Sequence, residues 1–472
     1  MTQENLLIYP TVDLFLYDLA DGLGQTDSEV NQNRQQFWQK VYGETLTPQL
    51  LEKLKIAETN ANYIDLLGDK QCEDFKDAVD GYYYPVKLGD TYALQIDSSG
   101  NAQPPEKQLQ PQEIGCLEAI RREICDRRIH NSNATIGQSW LIWGQLTASD
   151  QDALATAKNC YQEFKLFENC QWEGNFQKTG EFLGANFYEL WQHPSDREDI
   201  STNRHLLICL FPHTADGSIS AAAEIMTLLY PDFIQLFRFR NKVIWAYQQS
   251  RQLKSDLKKA AVAIQNIVDK LPQQVTADNL DLKDLQKNLV KSLTIFSIYA
   301  NYISRLEEQE NTIKTNLKNY KKRLKKIATD RESNPDALQI ATDGESSPDA
   351  LLFLKTFSDF ASDKYVEQVK SDRASLTAGL RLLENAIETI KGIIEIEQTK
   401  SDRALNATIA IVGIGLATSG VAASIISTQV SNPPTPANKI APYPAFWLSM
   451  AIGIFPVAIG MIFLAIKRRI KF

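Results

Sequence analysis

The chain has 472 residues, 43% of them apolar and 23% charged, which is typical of a folded protein in which any membrane part is a minority. A net charge of −8 argues against a nucleic-acid-binding protein. The six cysteines form no C-x-x-C pair, which argues against a zinc ribbon or a thioredoxin-type site.

Residues 1–230 are predicted to form an α/β domain with a mixed sheet covered by helices. The N-terminus has no basic region followed by an apolar stretch, so we expect this domain in the cytoplasm. The predicted strands are Leu6–Tyr17, Tyr82–Leu88, Tyr92–Ile96, Ser139–Leu146, Ala185–Trp191 and His205–Phe211. The predicted helices are Glu29–Tyr42, Gln49–Leu67, Gln112–Arg128, Ser149–Phe164 with Ser149 as N-cap, and Ser218–Leu229.

The same domain carries none of the motifs that mark phosphate-binding loops, dinucleotide sites, zinc proteases or serine hydrolases. Cys209 and His213 lie near each other at a strand end and would suit a nucleophile–base pair. A buried strand cysteine beside a loop histidine is the ordinary explanation. We therefore predict that the protein is not an enzyme and has no catalytic residue.

Residues 231–328 are predicted to form an antiparallel helical hairpin, with one helix from Pro231 to Leu271 and the next from Asn279 to Ala328. Residues 329–349 read as an acidic linker, because ATDRESNPDALQI is followed by the near copy ATDGESSPDALLF.

Residues 350–403 are predicted to form a stalk helix with a coiled-coil stripe. The stripe must pack against either a second copy of the chain or the preceding helices. Its residues are Val366, Val369, Leu376, Leu380, Leu383, Ile387, Ile390 and Ile394.

Two uncharged stretches, residues 404–427 and 446–466, are long enough to cross a bilayer. Residues 428–445 form the loop between them and residues 467–472 a basic tail. Basic residues flank the pair on one side, which predicts cytoplasmic termini and an integral protein of the plasma or inner membrane, in contact with lipid.

The order of these elements resembles the CorA-type divalent-cation transporters, including ZntB-like members. Tyr443-Pro444 before the second span, and Lys467, Arg468 and Arg469 after it, add local similarity. The resemblance implies a pentamer whose stalk and first span line a pore. It also implies an acidic hairpin tip near the basic tails, formed by Asp278, Asp281 and Asp284.

The family's Gly-Met-Asn signature, whose asparagine helps to select hydrated magnesium, is absent, so magnesium selectivity does not follow. Two functions are predicted. The first is an oligomeric channel for divalent cations with altered selectivity, the cation being the transported or regulatory ion and no other cofactor being certain. The alternative is a non-conducting, membrane-anchored scaffold or sensor whose cytoplasmic domain binds a partner.

For the channel, the pore-lining candidates are Thr408, Gly415, Thr418 and Ala422, and the outer-mouth candidates are Gln429, Ser431 and Asn432. The oxygens of these side chains and of the backbone suit a hard, largely hydrated cation. Ordinary helix packing and a plain loop explain the same residues equally well, and the metal that the protein would bind stays unknown.

Overall fold

The computed structural model describes residues 3–22, 24–57, 63–68, 70–101, 110–167, 171–193, 203–214, 219–270, 282–332 and 351–398. The chain divides into two compact units, which are described separately below. The first unit is Met1–Gln248 with Thr312–Val366, and the second is Gln249–Asn311 with Glu367–Phe472.

The first unit is built on a mixed sheet of ten strands among the described residues, in the order β2-β4-β5-β1-β7-β10-β9-β8, with β3 on β4 and β6 on β1. Strands β7 and β10 run parallel, whereas the other pairs are antiparallel. The strands are β1 Leu6–Leu19, β2 Ile64–Asp65, β3 Glu73–Asp74, β4 Val79–Leu88, β5 Thr91–Asn101, β6 Pro111–Glu113, β7 Gly137–Gln145, β8 Phe176–Phe182, β9 Ala185–Gln192 and β10 Arg204–Phe211.

The α-helices include three that exceed thirty residues. They are α1 Asp27–Tyr42, α2 Pro48–Ala57, α3 Cys116–Glu123, α4 Ala153–Phe164, α5 Trp172–Asn175, α6 Ser220–Val268, α7 Leu282–Glu332, α8 Leu352–Ala361 and α9 Glu367–Gln398. Short 3-10 turns lie at Gln3–Asn5 and Gly43–Thr45, and π-helical turns at Ile124–Arg128 and Ser362–Val366.

One face of the sheet packs on the shorter helices. Alternate residues of a strand point to opposite faces, so Val12, Leu14 and Leu16 of β1 share one face. They join an apolar core with side chains from α1, α3 and α4, namely Phe37, Trp38, Leu117, Ile120, Tyr161 and Phe164. Burying each large apolar side chain stabilises the fold by about 1.5–3 kcal/mol relative to leaving it exposed.

The opposite face of the sheet is covered by α6 and α8. Tyr17 of β1 donates to the carbonyl of Ile234 in α6 over 2.8 Å. Phe187 of β9 stacks on Phe353 of α8 with ring centroids 5.7 Å apart. The alternation that fills the core with aliphatic residues therefore places Asp13, Phe15 and Tyr17 beneath α6.

The second unit contains the distal part of α6, the first part of α7 and α9. Lys254 of α6 pairs with Asp372 of α9 over 2.6 Å, and Arg373 of α9 bonds Glu310 of α7 over 2.7 Å. Tyr299 of α7 donates to the carbonyl of Leu376 over 2.8 Å. Polar contacts thus join all three helices in this unit.

The predicted coiled-coil stripe is largely buried within a single chain. The stripe residues Val369, Leu383, Ile390 and Ile394 are fully buried, and Ile387 is nearly so. The stripe was predicted to pack against either a second copy of the chain or the preceding helices. The contacts of α9 with α6 and α7 show that it packs against the preceding helices. The stripe therefore gives no argument for a pentamer, which remains a prediction.

Several predicted helix boundaries differ from the observed ones. The helix predicted over Gln49–Leu67 ends at Ala57, and Ile64–Asp65 is a strand. The predicted N-cap Ser149 is replaced by Asp152, whose carboxylate accepts from the amide of Leu154 over 2.8 Å. Pro231 lies inside α6 rather than at a helix start.

The membrane part of the predicted fold class is corrected. Throughout the described residues, no helix combines the length and the apolar character needed to cross a bilayer. The long helices carry charged side chains along their length. Each charged residue would raise the free energy of membrane insertion by about 2.5–3.5 kcal/mol at the bilayer centre. The predicted spans 404–427 and 446–466, the loop 428–445 and the tail 467–472 lie outside the described residues. We therefore replace the predicted integral-membrane fold with an α/β domain and long helices. The predicted location in the plasma or inner membrane is withdrawn with it.

Candidate functional site

Two aspartates face each other across neighbouring strands in the first unit. The register of β1 and β5 sets Asp13 directly opposite Asp97, and their carboxyl groups are hydrogen-bonded to each other. Asp13 is fully buried, whereas Asp97 is half-buried. Like charges in this position repel each other, so the pair needs a proton or a cation between its members.

Helix α6 places a tyrosine over the pair. The hydroxyl of Tyr230 lies 3.1 Å from Asp13 Oδ2 and 3.0 Å from Asp97 Oδ2. It also accepts the indole N–H of Trp143 over 3.0 Å. The side-chain amide of Gln95 donates to Asp13 Oδ1 over 2.8 Å. Both oxygens of Asp13 therefore have fixed partners, and Asp97 is the member open to solvent.

Burial sets the protonation of this carboxylate pair. It raises the pKa of Asp13 well above its ordinary value, and the charge of Asp97 raises it further. Burial likewise raises the pKa of Asp97 to about 7. Asp97 consequently changes from its protonated to its ionised form near neutral pH.

A third carboxylate extends this pair toward the surface. Asp80 Oδ2 accepts hydrogen bonds from the Tyr9 hydroxyl over 3.0 Å and from Ser99 Oγ over 2.7 Å. The hydroxyl of Tyr82 accepts from the Gln95 amide over 3.4 Å. Tyr9, Asp80, Tyr82 and Ser99 are all half-buried. We call Asp13, Asp80, Asp97, Tyr9 and Tyr82 the acidic mouth.

Two irregularities in the strands build the acidic mouth. The β1–β7 register shifts between Ile8 and Thr11, and Tyr9 in this bulge has a φ of 53°. The β4–β5 register shifts between Asp80 and Gly81. A Cβ on Gly81 would lie 2.2 Å from the carbonyl oxygen of Asp97, so only glycine fits. Bulges redirect side chains and are frequent beside functional sites.

The acidic mouth has no cationic partner within the part of the chain that the structure describes. No lysine, arginine or histidine there forms an ion pair with Asp13, Asp80 or Asp97. The described part of the chain also contains no group of three or more histidine, cysteine or carboxylate side chains arranged to hold a metal ion. Tyr9 and Trp143 are in ring contact at 5.9 Å. Carboxylates beside aromatic rings suit an organic cation.

The residues predicted as sites from the sequence lie elsewhere. Asp284 is an exposed residue in the first turn of α7. All the other predicted sites lie outside the described residues: the hairpin-tip residues Asp278 and Asp281, the pore candidates Thr408, Gly415, Thr418 and Ala422, the outer-mouth candidates Gln429, Ser431 and Asn432, and the tail Lys467, Arg468 and Arg469. Cys209 is fully buried in β10, and no hydrogen bond joins it to His213 among the contacts described.

Sequence reasoning missed the acidic mouth, although Asp13 itself was a signal. Asp13 stands within the strongly apolar run of β1, LLIYPTVDLFLYDL, where an unpaired carboxylate would be costly. A buried charge in such a strand indicates a partner or a function. The partner, Asp97, could not be identified without the register.

No family model, curated protein or solved structure matches the chain. The resemblance to CorA-type transporters thus rests on the predicted order of elements, whose membrane part has been corrected. We assign no family.

Proposed function

We propose that the α/β domain is a binding module that receives an ammonium group of a partner protein at the acidic mouth. This develops the scaffold-or-sensor alternative without its membrane anchor. The channel alternative depends on the corrected spans and is not carried further.

One observation carries the proposal, namely three neighbouring carboxylates that no cationic side chain neutralises among the described residues. An ammonium group would bind the ionised form of Asp97 and make charge-assisted hydrogen bonds with Asp97 and Asp80. The rings of Tyr9 and Tyr82 would contact its methylene stem or its charge. Because Asp13 is fully buried, it would act by setting the charge of Asp97 rather than by touching the ligand.

The test is binding of a short lysine peptide, compared with the same peptide carrying norleucine. At pH 8 the native protein should bind the lysine peptide more tightly than the norleucine peptide. Asp97→Asn should weaken that binding about tenfold or more, because a hydrogen bond to a charged group contributes about 1.5–3 kcal/mol.

The matched control is Glu52→Gln on α2, which removes one charge from a side chain that is 74% exposed. It should leave the affinity unchanged. Equal binding of the lysine and norleucine peptides, or equal weakening by the two variants, would overturn the proposal.

The binding should also depend on pH. The pKa of Asp97, about 7 in the free protein, must fall when a cation binds, so binding releases a proton. Affinity should therefore decrease as the pH falls below about 7. A flat profile between pH 6 and pH 8 would contradict proton displacement.

A further inference from the structure

A second polar cluster lies deep in the first unit, under the same face of the sheet. Glu189 of β9, His205 of β10 and Arg240 of α6 are each 1% exposed. Glu189 Oε1 lies 3.5 Å from His205 Nε2 and 4.0 Å from Arg240 Nη2. Neither oxygen of Glu189 and none of the three guanidinium nitrogens of Arg240 has a hydrogen-bond partner among the described residues.

Instead of a hydrogen bond to Glu189, Arg240 makes ring contacts. Its guanidinium lies 4.4 Å from the ring centroid of Trp191 in β9 and 4.3 Å from that of Phe357 in α8. Phe360 of α8 packs edge-on against Trp191 at 5.4 Å. Arg240 is therefore held between the sheet and α8, and its position affects how α8 is attached.

The hydrogen bonds of His205 indicate its tautomer. Asn241 Nδ2 donates to Ser139 Oγ over 3.0 Å, and Ser139 Oγ lies 2.9 Å from His205 Nδ1. The serine hydroxyl can then donate to Nδ1, which places the imidazole proton on Nε2, toward Glu189. Burial lowers the pKa of His205 well below its ordinary value, so this histidine stays neutral.

Other titratable groups surround the cluster. Tyr320 of α7 donates to the carbonyl of Leu354 in α8 over 2.9 Å. Burial raises the pKa of Tyr320 well above its ordinary value, and the charge of Glu189 raises it further. His193 contacts Trp191 and Phe360 with ring centroids 3.7 and 4.7 Å apart. Tyr365 stacks on Tyr247 at 4.0 Å and interacts electrostatically with Arg240.

We propose that Glu189 and Arg240 form a proton-controlled latch that sets how firmly α8 is held to the sheet. With Glu189 neutral, Arg240 stays in contact with the rings of Trp191 and Phe357. With Glu189 ionised, the carboxylate draws the guanidinium from 4.0 Å toward the charge-assisted hydrogen-bond distance of about 2.8 Å. That movement takes Arg240 away from Phe357 and loosens α8.

Glu189 should change between its neutral and ionised forms near neutral pH. Burial raises the pKa of Glu189 to about 7, and the charge of Arg240 offsets part of that rise. If release of α8 returns the carboxyl group to its ordinary pKa of 4.5, one-proton linkage makes release about tenfold more favourable at pH 8 than at pH 6.

Hydrogen exchange of the full-length protein tests the latch. We would follow peptides from α8 and from β7, with intrinsic exchange rates corrected for pH. Between pH 6 and pH 8, α8 exchange in the native chain should rise about tenfold relative to Glu189→Gln. Because both proteins retain His193 and His205, their ratio isolates the contribution of Glu189. Glu181→Gln, an exposed carboxylate on β8, should behave as the native chain.

Two results would overturn the latch. One is a native-to-variant ratio that stays constant between pH 6 and pH 8. The other is an equal change in the β7 peptide, which would mean that Glu189 controls unfolding of the whole sheet. If Glu189→Gln does not fold, Phe357→Leu serves instead. That variant should raise α8 exchange at pH 6 toward the native pH 8 level, and unchanged exchange would contradict the proposal.

Discussion

Asp97→Asn should stabilise the first unit at pH 8 and should stabilise it less at pH 5. Burial raises the pKa of Asp97 from its ordinary 3.8 to about 7. For a group with a raised folded pKa, the stabilising contribution is complete below the unfolded pKa and is lost as the pH rises through the folded pKa. The cost of keeping Asp97 therefore grows between pH 3.8 and about pH 7 and is complete above that range, and asparagine removes it.

The size of this effect can be bounded. The difference between pKa values of 3.8 and about 7 corresponds to an upper limit of about 4 kcal/mol. Asp97 is partly open to solvent, which screens its charge, so we expect about 2 kcal/mol. A carboxylate kept at this cost is typical of a site where function opposes stability.

Urea unfolding followed by tryptophan fluorescence measures the effect, because Trp143 borders the acidic mouth. The urea midpoint of Asp97→Asn should exceed the native midpoint at pH 8, and the difference should shrink to less than about half at pH 5. Glu52→Gln should show no such difference. A lower midpoint for Asp97→Asn at pH 8 would refute the reasoning, since it would mean that the ionised carboxylate stabilises the fold.

Three further substitutions test other parts of the structure. Tyr230→Phe removes the hydroxyl over the carboxylate pair, and should cost about 1–3 kcal/mol in urea unfolding and raise the pKa of Asp97, because the Tyr230 hydrogen bond lowers it. Gly81→Ala should cost roughly 1–3 kcal/mol, because its Cβ would lie 2.2 Å from the carbonyl of Asp97, and an unchanged melting temperature would contradict the bulge geometry. Leu383→Asp should destabilise the second unit by roughly 4 kcal/mol or more by burying a charge, seen as early loss of helical circular dichroism. Leu382→Asp, at a side chain that is 64% exposed, is its control and should unfold like the native protein.

Local pattern was sufficient to predict several of the long strands of the sheet. The alternation in β1 and the apolar runs of β7 and β10 gave boundaries within about two residues of those observed. The short strands β2, β3 and β6 were missed, because two or three residues carry no periodicity. Their pairing depends on the edges that β1 and β4 offer. The longer strand β8 was also missed, because most of its side chains are exposed or half-buried and few are apolar.

The acidic mouth could not be predicted, because its geometry depends on register. A shift of one residue in β1 would turn Asp13 to the opposite face. The two bulges beside the site leave only weak signals in the sequence. Gly81 was the clearest of these signals, since a glycine within a strand often marks a bulge. Tyr230 lies 217 residues from Asp13, a separation that no local pattern can connect.

The most direct test of the central claim is a pH titration of the Asp97 carboxyl carbon by NMR, with and without the lysine peptide. In the free protein its pKa should lie near 7, and saturating peptide should lower it, since an ammonium group favours the ionised form of Asp97. The norleucine peptide should leave the titration unchanged. An Asp97 pKa near its ordinary 3.8 in the free protein, or one that the lysine peptide does not lower, would contradict the proposal that the acidic mouth binds a cation.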